Sequence, residues 1–500
     1  MTDKPSNLGE EHDRSRGIVT PAVVRELERA LGRDRVISTP EELIAYEYDA
    51  TIERGKPQAV VFPESTDEVA VAVRIAYRHN VPVIPRGAGT GLSGGAIATV
   101  GGVVVALTRM KRVLEVDVAN QIAVVEPGVV NLDLSRAVAQ HGLYYAPDPS
   151  SQRACTIGGN VAENAGGPHC LAYGATTNHV LGAELVLADG EIISIGGRTR
   201  DVAGYDLIGA FVGSEGTLAI ATKIIVRLLR LPESTRTLLA IFDTIDDASG
   251  AVTSIMSEGM LPSALEMMDR NIIAAIEPVL HAGFPLDAEA VLLIELDGLA
   301  EGTQEEAIAV DAICRRYNAR EVRIAVEQAD RDRLWAGRKT SISALGRLYP
   351  NYYVLDGVVP RTKLVEVLRQ TYSISAAYGL AVANVFHAGD GNLHPNLLFD
   401  ERIAGTKERV LAAGAEIMRA CVDAGGSITG EHGVGLEKRD FLGWIFDAGD
   451  LAAMSRLKAA FNAGENYNPC KAFPTHKGCG EVTQIRIERA SAAIGDEIYV

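Results

Sequence analysis

Residues 85–96 read PRGAGTGLSGGA, and five of these twelve residues are glycine. The stretch directly follows the apolar run Val81–Ile84, which is typical of a buried strand. Glycine accepts positive φ, and consecutive exposed N–H groups form a concave site for anionic oxygens. We therefore interpret residues 85–96 as a cradle for a diphosphate group.

Two other interpretations of this stretch have to be weighed. Residues 89–94 formally spell G-x-G-x-x-G, the dinucleotide-binding fingerprint, but that site needs the glycines to open a helix. Here they lead into residues 97–102, which hold two more glycines, and then into the strand-like run Val103–Leu107. The pattern favours a cradle between two strands, and a glycine-rich surface loop without a ligand is the alternative left open.

The charge of the chain narrows the classes of partner. Its 48 Lys and Arg against 65 Asp and Glu give a net charge of -17, which argues against nucleic acid and against an anionic membrane surface. No apolar run approaches the roughly 20 residues of a membrane span. Because the polar N-terminus lacks an apolar signal core, we predict a mobile tail over residues 1–17 and a cytoplasmic protein, peripheral to a membrane only through a partner.

The six cysteines are scattered and form no C-x-x-C pair. Neither a zinc ribbon nor an iron–sulfur cluster is suggested by this spacing. We expect free thiols, as in a reducing cytoplasm. A redox protein with this sequence must therefore pass its electrons to a partner.

The periodicity around the cradle indicates an α+β layout. A strand at 59–62, a capped helix at 65–77 and a strand at 81–84 form a β-α-β unit that leads into the cradle. Further strands are expected at 103–107, 113–118, 122–126 and 219–227. Two more segments, 147–167 (PDPSSQRACTIGGNVAENAGG) and 213–217 (GSEGT), are rich in glycine. An irregular path as long as the first of these is usually functional, and a plain connecting loop is the alternative.

A chain of 500 residues exceeds one hydrophobic core, so two or three domains are expected. Beyond Leu231–Pro232–Glu233, strands alternate with helices that have polar faces. We predict the tail at 1–17, a first domain at 18–231, and an α+β cap domain with an antiparallel sheet at 232–425. A C-terminal segment at 426–500 is expected to complete the active site and to pack back on the first domain.

The sequence VFHAGDGNLHP at 385–395 places two histidines around a turn. Asp390–Gly391 is a preferred pair for a two-residue type I′ turn, and counting outward from it puts His387 opposite His394. Directly opposed residues have Cβ atoms ~4.5–5.5 Å apart on one face, so both imidazoles can bind one metal ion. Asn396, two residues beyond His394, is expected on the same face.

A third ligand is expected in residues 429–435, TGEHGVG. The glycines flank Glu431 and His432 and let the backbone approach a ligand closely. Two histidines and one carboxylate leave coordination positions open, as a catalytic site requires. His432 is a candidate general base because its unperturbed pKa lies near neutrality, and a buried hydrogen-bonded histidine is the alternative.

Three motifs in order, PRGAGTGLSGG, then PDPSS with TIGGN and NAGG, then GSEGTL, resemble the FAD-binding domain of the vanillyl-alcohol oxidase and p-cresol methylhydroxylase superfamily. The resemblance implies a two-lobed FAD-binding domain over about residues 40–230. Many covalent members carry a histidine where this chain has Thr90, so non-covalent FAD is expected. The residues that the resemblance assigns to the cofactor are Pro85, Arg86, Gly87, Ala88, Gly89, Thr90, Gly91, Pro147, Ser150, Gly158, Asn160, Asn164, Gly213, Glu215 and Gly216.

The later motifs resemble the FAD-linked 2-hydroxy-acid dehydrogenases, the group of the glycolate oxidase large subunit, D-lactate dehydrogenase and D-2-hydroxyglutarate dehydrogenase. Segment 334–339, LWAGRK, matches their arginine-bearing segment, so Arg338 is expected to bind the substrate carboxylate with its bidentate guanidinium. His432 would act beside the substrate, and Asn396 is the second residue assigned to substrate. The ligands implied for zinc or manganese are His387, His394 and Glu431.

The resemblance also narrows the substrate. The hydroxyglutarate enzymes have a threonine and a lysine downstream of the arginine, where this chain has Ile342 and, by our alignment, Val354. A second substrate carboxylate would lack partners, so glycolate or D-lactate is favoured. The implied reaction oxidises this acid to the 2-oxo acid by hydride transfer to flavin N5, with an iron–sulfur subunit, a quinone or a cytochrome as electron acceptor.

Two other functions stay open. The first is a flavoenzyme of another class, such as a lactone oxidase or a relative of alkyl-glycerone-phosphate synthase, in which the histidines act without metal. The second is a non-catalytic FAD-binding subunit of an electron-transfer complex. Metal analysis and flavin reduction by 2-hydroxy acids distinguish these functions. The oligomeric state also stays open, and a homodimer is one alternative.

Overall fold

The computed structural model of the chain describes residues 17–200 and 203–474. Apart from its last residue, the predicted tail at 1–17 lies outside the described residues, as do residues 475–500 of the predicted C-terminal segment. Helices are combined with parallel and antiparallel sheets, which confirms the predicted α+β class. Every helix in the described ranges is too short or too polar to cross a bilayer.

The first lobe carries the cradle on a small, mainly parallel sheet. Its elements are strands β1 (Val36–Ile37), β2 (Ala59–Val61), β3 (Val83–Arg86) and β4 (Val103–Ala106), and helices α1 (Pro21–Leu31), α2 (Pro40–Leu43) and α3 (Thr66–Arg78). The strand order is β1-β2-β4-β3, with β4 parallel to both of its neighbours. The chain runs from β3 to β4 with no helix between them, so the cradle joins two strands as predicted.

The second lobe is antiparallel, with the strand order β5-β6-β10-β8-β9 and a separate β7–β11 pair. Its strands are β5 (Val113–Asp117), β6 (Ile122–Val125), β7 (Leu143–Tyr144), β8 (Val180–Val186), β9 (Ile192–Gly196), β10 (Ile220–Arg227) and β11 (Leu229–Arg230). Its helices are α4 (Asn131–Ala139), α5 (Ile157–Glu163), α6 (Cys170–Tyr173) and α7 (Leu207–Phe211).

Helix α5 corrects the prediction that residues 147–167 are irregular throughout. The helix is capped by Thr156, whose hydroxyl accepts the Gly159 amide at 3.3 Å. Gly158 packs so closely that a Cβ there would lie 2.6 Å from a Pro127 carbon. Glycines disfavour an isolated helix, so packing within the lobe outweighs local propensity here.

The cap is built on a nine-stranded antiparallel sheet with the main order β15-β12-β14-β13-β18-β19-β17, and β20 pairs with β16 and β18. Its strands are β12 (Ser234–Phe242), β13 (Ala264–Asp269), β14 (Ala290–Gly298), β15 (Glu321–Ala325), β16 (Asn351–Val354), β17 (Gly357–Val358), β18 (Ala381–His387), β19 (Asn392–Leu393) and β20 (Pro395–Phe399). The remaining helices are α8 (Ile245–Ser257), α9 (Arg270–Leu280), α10 (Ala300–Arg316), α11 (Gln328–Ala344), α12 (Leu364–Ala377), α13 (Thr406–Asp423) and α14 (Ala448–Phe461). Separate apolar clusters bury the two faces of β12 and β14.

Beyond α14, residues 462–472 pack against the first two lobes. Val83 at the start of β3 donates its amide to the carbonyl of Asn466 and accepts the amide of Asn468, both at 2.8 Å. Tyr467 is fully buried, and its hydroxyl donates to the carbonyl of Leu187 at 2.9 Å. The end of the described chain is therefore integrated into the lobes that carry the cradle.

The cysteines differ in part from the prediction of free thiols. Cys155, Cys170, Cys314 and Cys421 are free. Cys470 is disulfide-bonded, so the prediction is wrong at this position. Sequence spacing did not indicate this bond because disulfide formation depends on geometry rather than on separation along the chain.

Candidate functional site

A cavity of about 450 Å³ brings the glycine-rich segments and the cap together. Its walls include the cradle, helix α5, the glycine-rich loop at 213–217, helix α11 and the histidine-bearing segments. The predicted site residues that line it are Pro85, Arg86, Gly87, Ala88, Gly89, Thr90, Gly91, Ser150, Gly158, Asn160, Glu215, Gly216, Arg338, His387, His394, Glu431 and His432.

Three residues predicted to contact the cofactor support the wall instead of lining it. The Pro147 carbonyl accepts a hydrogen bond from Asn131 at 2.9 Å. Asn164 ends α5 in the left-handed conformation, with φ of 53°. The Gly213 amide donates to the Val161 carbonyl at 2.8 Å. Their backbone geometry shapes the loops from which lining residues project.

Asn396, predicted to contact substrate, also lies away from the cavity lining. Its side chain is fully buried and donates to the carbonyls of Ala383 at 3.1 Å and His394 at 2.7 Å. Both amide hydrogens are therefore used to hold the backbone beside a histidine. We no longer assign Asn396 to the substrate.

The register predicted for the histidine hairpin is wrong. His387 pairs with Asn392 across a four-residue connection, not with His394 across a two-residue turn. Relative to the predicted pairing, the register is displaced by two positions. Because side chains alternate between faces with a period of two, this displacement leaves both histidines on one face as diagonal neighbours.

The two imidazoles converge on a carboxylate. Their ring centroids are 5.1 Å apart and nearly perpendicular. The Nε2 atoms of His387 and His394 each lie 3.2 Å from Glu431 Oε1. The three ligand atoms lie within 4.8 Å of one another, and two imidazole nitrogens with one carboxylate oxygen are a donor set that suits zinc. These residues could hold a divalent metal.

A buried glutamate on β13 orients the first of these ligands. Glu266 is completely buried and accepts from His387 Nδ1 at 2.7 Å. Its other oxygen pairs with Arg338, at 2.7 Å from Nε and 2.5 Å from Nη2. Burial raises the pKa of Glu266, but Arg338 and His387 outweigh burial and lower it. The ionised carboxylate thus binds His387 through Nδ1 and turns Nε2 towards Glu431, where a metal could be held, as carboxylate–histidine pairs do in metalloproteins.

Two carboxylates from different parts of the fold hold the loop 429–435. Asp356 accepts backbone N–H groups of residues 430–432 at 3.0–3.3 Å. Glu215 accepts those of residues 434 and 435 at 2.7 and 2.6 Å. Burial raises the pKa of Asp356, but Lys438 at 2.9 Å and the nearby histidines outweigh it and hold the pKa well below its ordinary value. Glu431 and His432 are therefore positioned from both sides.

His432 is a neutral imidazole in the cavity wall. It stacks on His394, with centroids 4.9 Å apart and planes 8° from parallel. Its Nδ1 is buried and has no hydrogen-bond partner in the described residues. Burial lowers the pKa of His432 to about 4, and His394 contributes in the same direction. A neutral ring can accept a proton at neutral pH.

Comparison with known proteins gives the family. Residues 57–196 match the family model described as "FAD binding domain", and residues 231–472 match "FAD linked oxidases, C-terminal domain". The glycolate oxidase subunit GlcD of Escherichia coli (strain K12) is 46% identical over 89% of this chain and 90% of its own length. The chain belongs to the FAD-linked oxidases. The D-lactate dehydrogenase of Archaeoglobus fulgidus is 35% identical over 85% of the chain and 95% of its own length.

The solved structure of p-cresol methylhydroxylase with substrate bound covers 90% of this FAD-linked oxidase and 95% of its own chain, with a TM-score of 0.75 and 16% identity. At that identity the likeness concerns the fold, which confirms the predicted superfamily architecture. The predictions of an FAD-linked oxidoreductase in the hydroxy-acid dehydrogenase group, and of FAD as cofactor, are confirmed as well.

The cradle of the FAD-linked oxidase fits this cofactor. A Cβ at Gly87 would lie 2.5 Å from the Thr156 hydroxyl, so only glycine lets the loop approach α5. Ala96 lines the cavity, and its amide donates no hydrogen bond within the described residues. An unpaired amide beside glycines is the kind of donor that a diphosphate accepts.

An ionic bridge joins the second lobe of the FAD-linked oxidase to the cap. His169 Nδ1 lies 2.9 Å from Asp148 Oδ2, and its Nε2 lies 3.0 Å from Glu295 Oε1. Its ring also packs against Trp335, which donates to Glu295 and is carried by α11. Burial lowers the pKa of His169, but the two carboxylates outweigh burial and raise it to about 10. The imidazolium is thus a cation shared by the second lobe and the cap.

Changing His169 to asparagine is expected to reduce stability in a pH-dependent way. A folded pKa near 10 against about 6.5 in the unfolded chain means that the stabilisation is fully present below about pH 6.5 and is lost as pH rises towards 10. The free energy of unfolding of the two proteins, measured by urea between pH 6 and 10, should therefore differ most at pH 6. The exposed His141→Asn control should show little difference, and a constant gap across this range would contradict the ionic role.

Sequence reasoning about the FAD-linked oxidase assigned no role to Glu266 or Asp356, and it did not predict the ionic role of His169. Glu266 did leave a signal, because it is a charged residue within the apolar segment Ala264–Met268, and buried charges are normally paired. The partners of Asp356 and His169 left no such signal, since most of them lie more than 70 residues away along the chain. Arg338 and the three candidate metal ligands could be predicted because each sits in a recognisable local motif.

Proposed function

We propose that this FAD-linked oxidase oxidises a small D-2-hydroxy acid, glycolate or D-lactate, to the 2-oxo acid, with zinc or manganese held by His387, His394 and Glu431. One observation carries the proposal: the histidine–glutamate cluster lies on the wall of the same cavity as the glycine cradle. The names of the two relatives, a glycolate oxidase subunit and a D-lactate dehydrogenase, support the substrate class.

Arg338 is proposed to bind the substrate carboxylate. It lines the cavity, and Glu266 engages its Nε and Nη2 atoms. Its Nη1 makes no hydrogen bond within the described residues, which leaves N–H groups for a carboxylate. The buried ion pair also fixes the guanidinium in one orientation, so the substrate would be held at a defined position relative to the metal ligands.

His432 is proposed to accept the proton of the substrate hydroxyl. Its low pKa keeps the ring neutral, and it lies beside Glu431 in the cavity wall. When bound, the metal supplies Lewis acidity that lowers the pKa of the hydroxyl, and FAD supplies the hydride acceptor at N5. A base with such a low pKa is effective only towards an acidified hydroxyl, which supports the combination of His432 with a metal site.

Electrons are proposed to leave through a partner, an iron–sulfur subunit, a quinone or a cytochrome. The sequence has no C-x-x-C pair that would suggest a cluster of its own. The name of the E. coli relative describes a subunit, which supports assembly with other chains. A cytoplasmic protein that reaches a membrane only through such a partner remains our proposal for location.

Anaerobic stopped-flow reduction of the purified holoenzyme tests the substrate. Glycolate, D-lactate, L-lactate and D-2-hydroxyglutarate are mixed with it in turn, and bleaching of the flavin band is followed. Glycolate or D-lactate should reduce the flavin fastest. Flavin that stays oxidised with every acid would contradict the proposal and favour the non-catalytic subunit, and full-rate reduction in metal-free protein would exclude the metal.

Changing His432 to glutamine is expected to slow flavin reduction by the preferred acid about 10²–10⁴-fold, the usual contribution of general base catalysis. The variant should retain bound FAD and metal because neither is assigned to this side chain. Single-turnover reduction rates at saturating acid measure the effect, with His141→Gln as an exposed control. Unchanged rates would exclude His432 as the base.

A further inference from the structure

The cradle is held from the protein side by a buried lysine of the C-terminal segment. Lys471 is 1% exposed. Its Nζ donates to the carbonyls of Gly95 at 2.7 Å and Ile97 at 2.5 Å, and to Asn468 Oδ1 at 2.6 Å. An ammonium group has three N–H donors, so these three acceptors use all the donors of Lys471.

The carbonyl of Ala96, between those of Gly95 and Ile97, accepts a hydrogen bond from a second cationic side chain. Arg86 Nη1 donates to the carbonyl of Ala96 at 3.4 Å, and its Nη2 donates to that of Tyr48 at 2.9 Å. Arg86 is itself buried, at 7% exposed. Three consecutive carbonyls, at residues 95–97, therefore accept hydrogen bonds from buried cationic side chains.

This arrangement orients the cradle amides. In a trans peptide the C=O and the following N–H point in opposite directions. Because the Gly95 carbonyl points to Lys471, the Ala96 amide points away from it. Ala96 borders the cavity, and its amide has no acceptor within the described residues. Lys471 thus holds an unpaired donor in position for an anion.

The charge of Lys471 has no direct ion-pair partner in the described residues, and the carboxylates of Asp49, Glu163 and Glu215 act on it only from a greater distance. Among the described residues, no carboxylate oxygen lies within the 4.0 Å ion-pair distance of its Nζ, which is held by carbonyl and amide oxygens alone. An isolated buried charge is costly unless an opposite charge compensates it. The FAD diphosphate carries two negative charges and is expected on the other side of the same peptide groups.

We propose that Lys471 is a positioning residue for FAD, which fixes the outer carbonyls of the cradle and strengthens diphosphate binding through its buried positive charge without touching the cofactor. The assignment concerns cofactor affinity and is independent of which acid the enzyme oxidises. It also gives the C-terminal segment a role in holding FAD.

The groups that face Lys471 make its charge sensitive to pH. Burial lowers the pKa of Lys471 to about 7, Arg86 lowers it further, and Asp49, Glu163 and Glu215 raise it. Diphosphate favours the charged form, so FAD-bound protein should keep the proton to higher pH than FAD-free protein. FAD affinity should therefore be constant below about pH 7 and fall above it, by at most tenfold per pH unit.

Dissociation of FAD from full-length holoenzyme tests the proposal without any variant. The dissociation constant is measured by flavin fluorescence after dilution, between pH 6 and 9. We expect weaker binding as the pH rises above 7. In Lys471→Arg, which stays charged, this dependence should disappear while affinity is retained. A wild-type affinity that stays constant across the range would overturn the proposal.

Lys471→Met separates the charge from simple packing. Loss of one charged hydrogen-bonding group should weaken FAD about 10–100-fold. Riboflavin, which has no phosphate, is the matched probe and should lose less than about threefold, because the proposed charge acts on the diphosphate. Equal losses for both ligands would reduce Lys471 to a structural residue and overturn the proposal, as would no loss for either. If the methionine variant does not fold, the pH series and Lys471→Arg still decide the question.

Discussion

Changing His387 to alanine is expected to remove the metal and to reduce turnover about 10³-fold or more, while FAD stays bound. Removing the imidazole leaves one histidine and one carboxylate, too few ligands to retain zinc or manganese at ordinary concentrations. FAD should be unaffected because the cradle residues belong to another part of the chain. Glu431→Ala should behave in the same way, since its Oε1 lies 3.2 Å from both histidines.

The measurement combines metal content per chain, flavin content from absorbance, and the rate of flavin reduction by glycolate and D-lactate. His141→Ala is the matched control, because it removes an exposed imidazole that does not line the cavity. A His387→Ala protein that is demonstrably free of metal and fully active would exclude the proposed role of the metal. A variant that loses FAD together with metal would instead indicate collapse of the cavity.

Changing Glu266 to alanine is expected to destabilise the metal-free protein by about 3–5 kcal/mol, because it leaves the Arg338 guanidinium buried and unpaired. The same change should weaken metal binding about 10–100-fold, since His387 loses the carboxylate that fixes its tautomer. Glu266 is completely buried and Arg338 is 2% exposed, so the guanidinium would lose its paired carboxylate in a largely desolvated position.

Two measurements separate these effects for Glu266. Urea unfolding of chelator-treated protein gives the stability change without the contribution of bound metal, and titration of zinc gives the affinity. Glu321→Ala, which removes an exposed glutamate paired with an exposed arginine, should change stability by no more than about 0.5 kcal/mol. A Glu266→Ala protein as stable as this control would show that the Glu266–Arg338 pair does not contribute this free energy of unfolding.

The sequence predicted those parts of the site that depend on local chemistry. The cradle was recognisable because consecutive glycines allow conformations that other residues avoid, and β3 and β4 flank it as expected. The Glu431–His432 pair was recognisable because glycines surround it. Both features lie within a dozen residues, so neighbouring positions alone specify them.

The hairpin register was not predictable by the same reasoning. The local rule for Asp390–Gly391 selects a two-residue turn, and Gly391 does adopt a positive φ of 80°. Its amide, however, donates to the His387 carbonyl across a four-residue connection, and its own carbonyl accepts the Val359 amide. Contacts with the adjacent strand β17, more than thirty residues earlier, therefore decide the register.

The partners of the buried charged groups were even harder to predict from the sequence. Glu266 and His387 are 121 residues apart, and Lys471 reaches carbonyls 376 and 374 residues before it. No periodicity encodes such pairs. The sequence shows only that an ionisable residue lies in a segment that becomes buried. This indicates that the residue has a partner but not which residue the partner is.

The loop 429–435 has a consequence for how such enzymes can be recombined. Its amides are held by Asp356 on one side and by Glu215, about 220 residues earlier in the chain, on the other. The segment that matches the C-terminal family model begins at residue 231, so it does not contain Glu215 and lacks half of this support. A chimaera that exchanges only one half between relatives would inherit a reaction centre whose backbone anchors come from two different ancestors, so loop and anchor must be exchanged together.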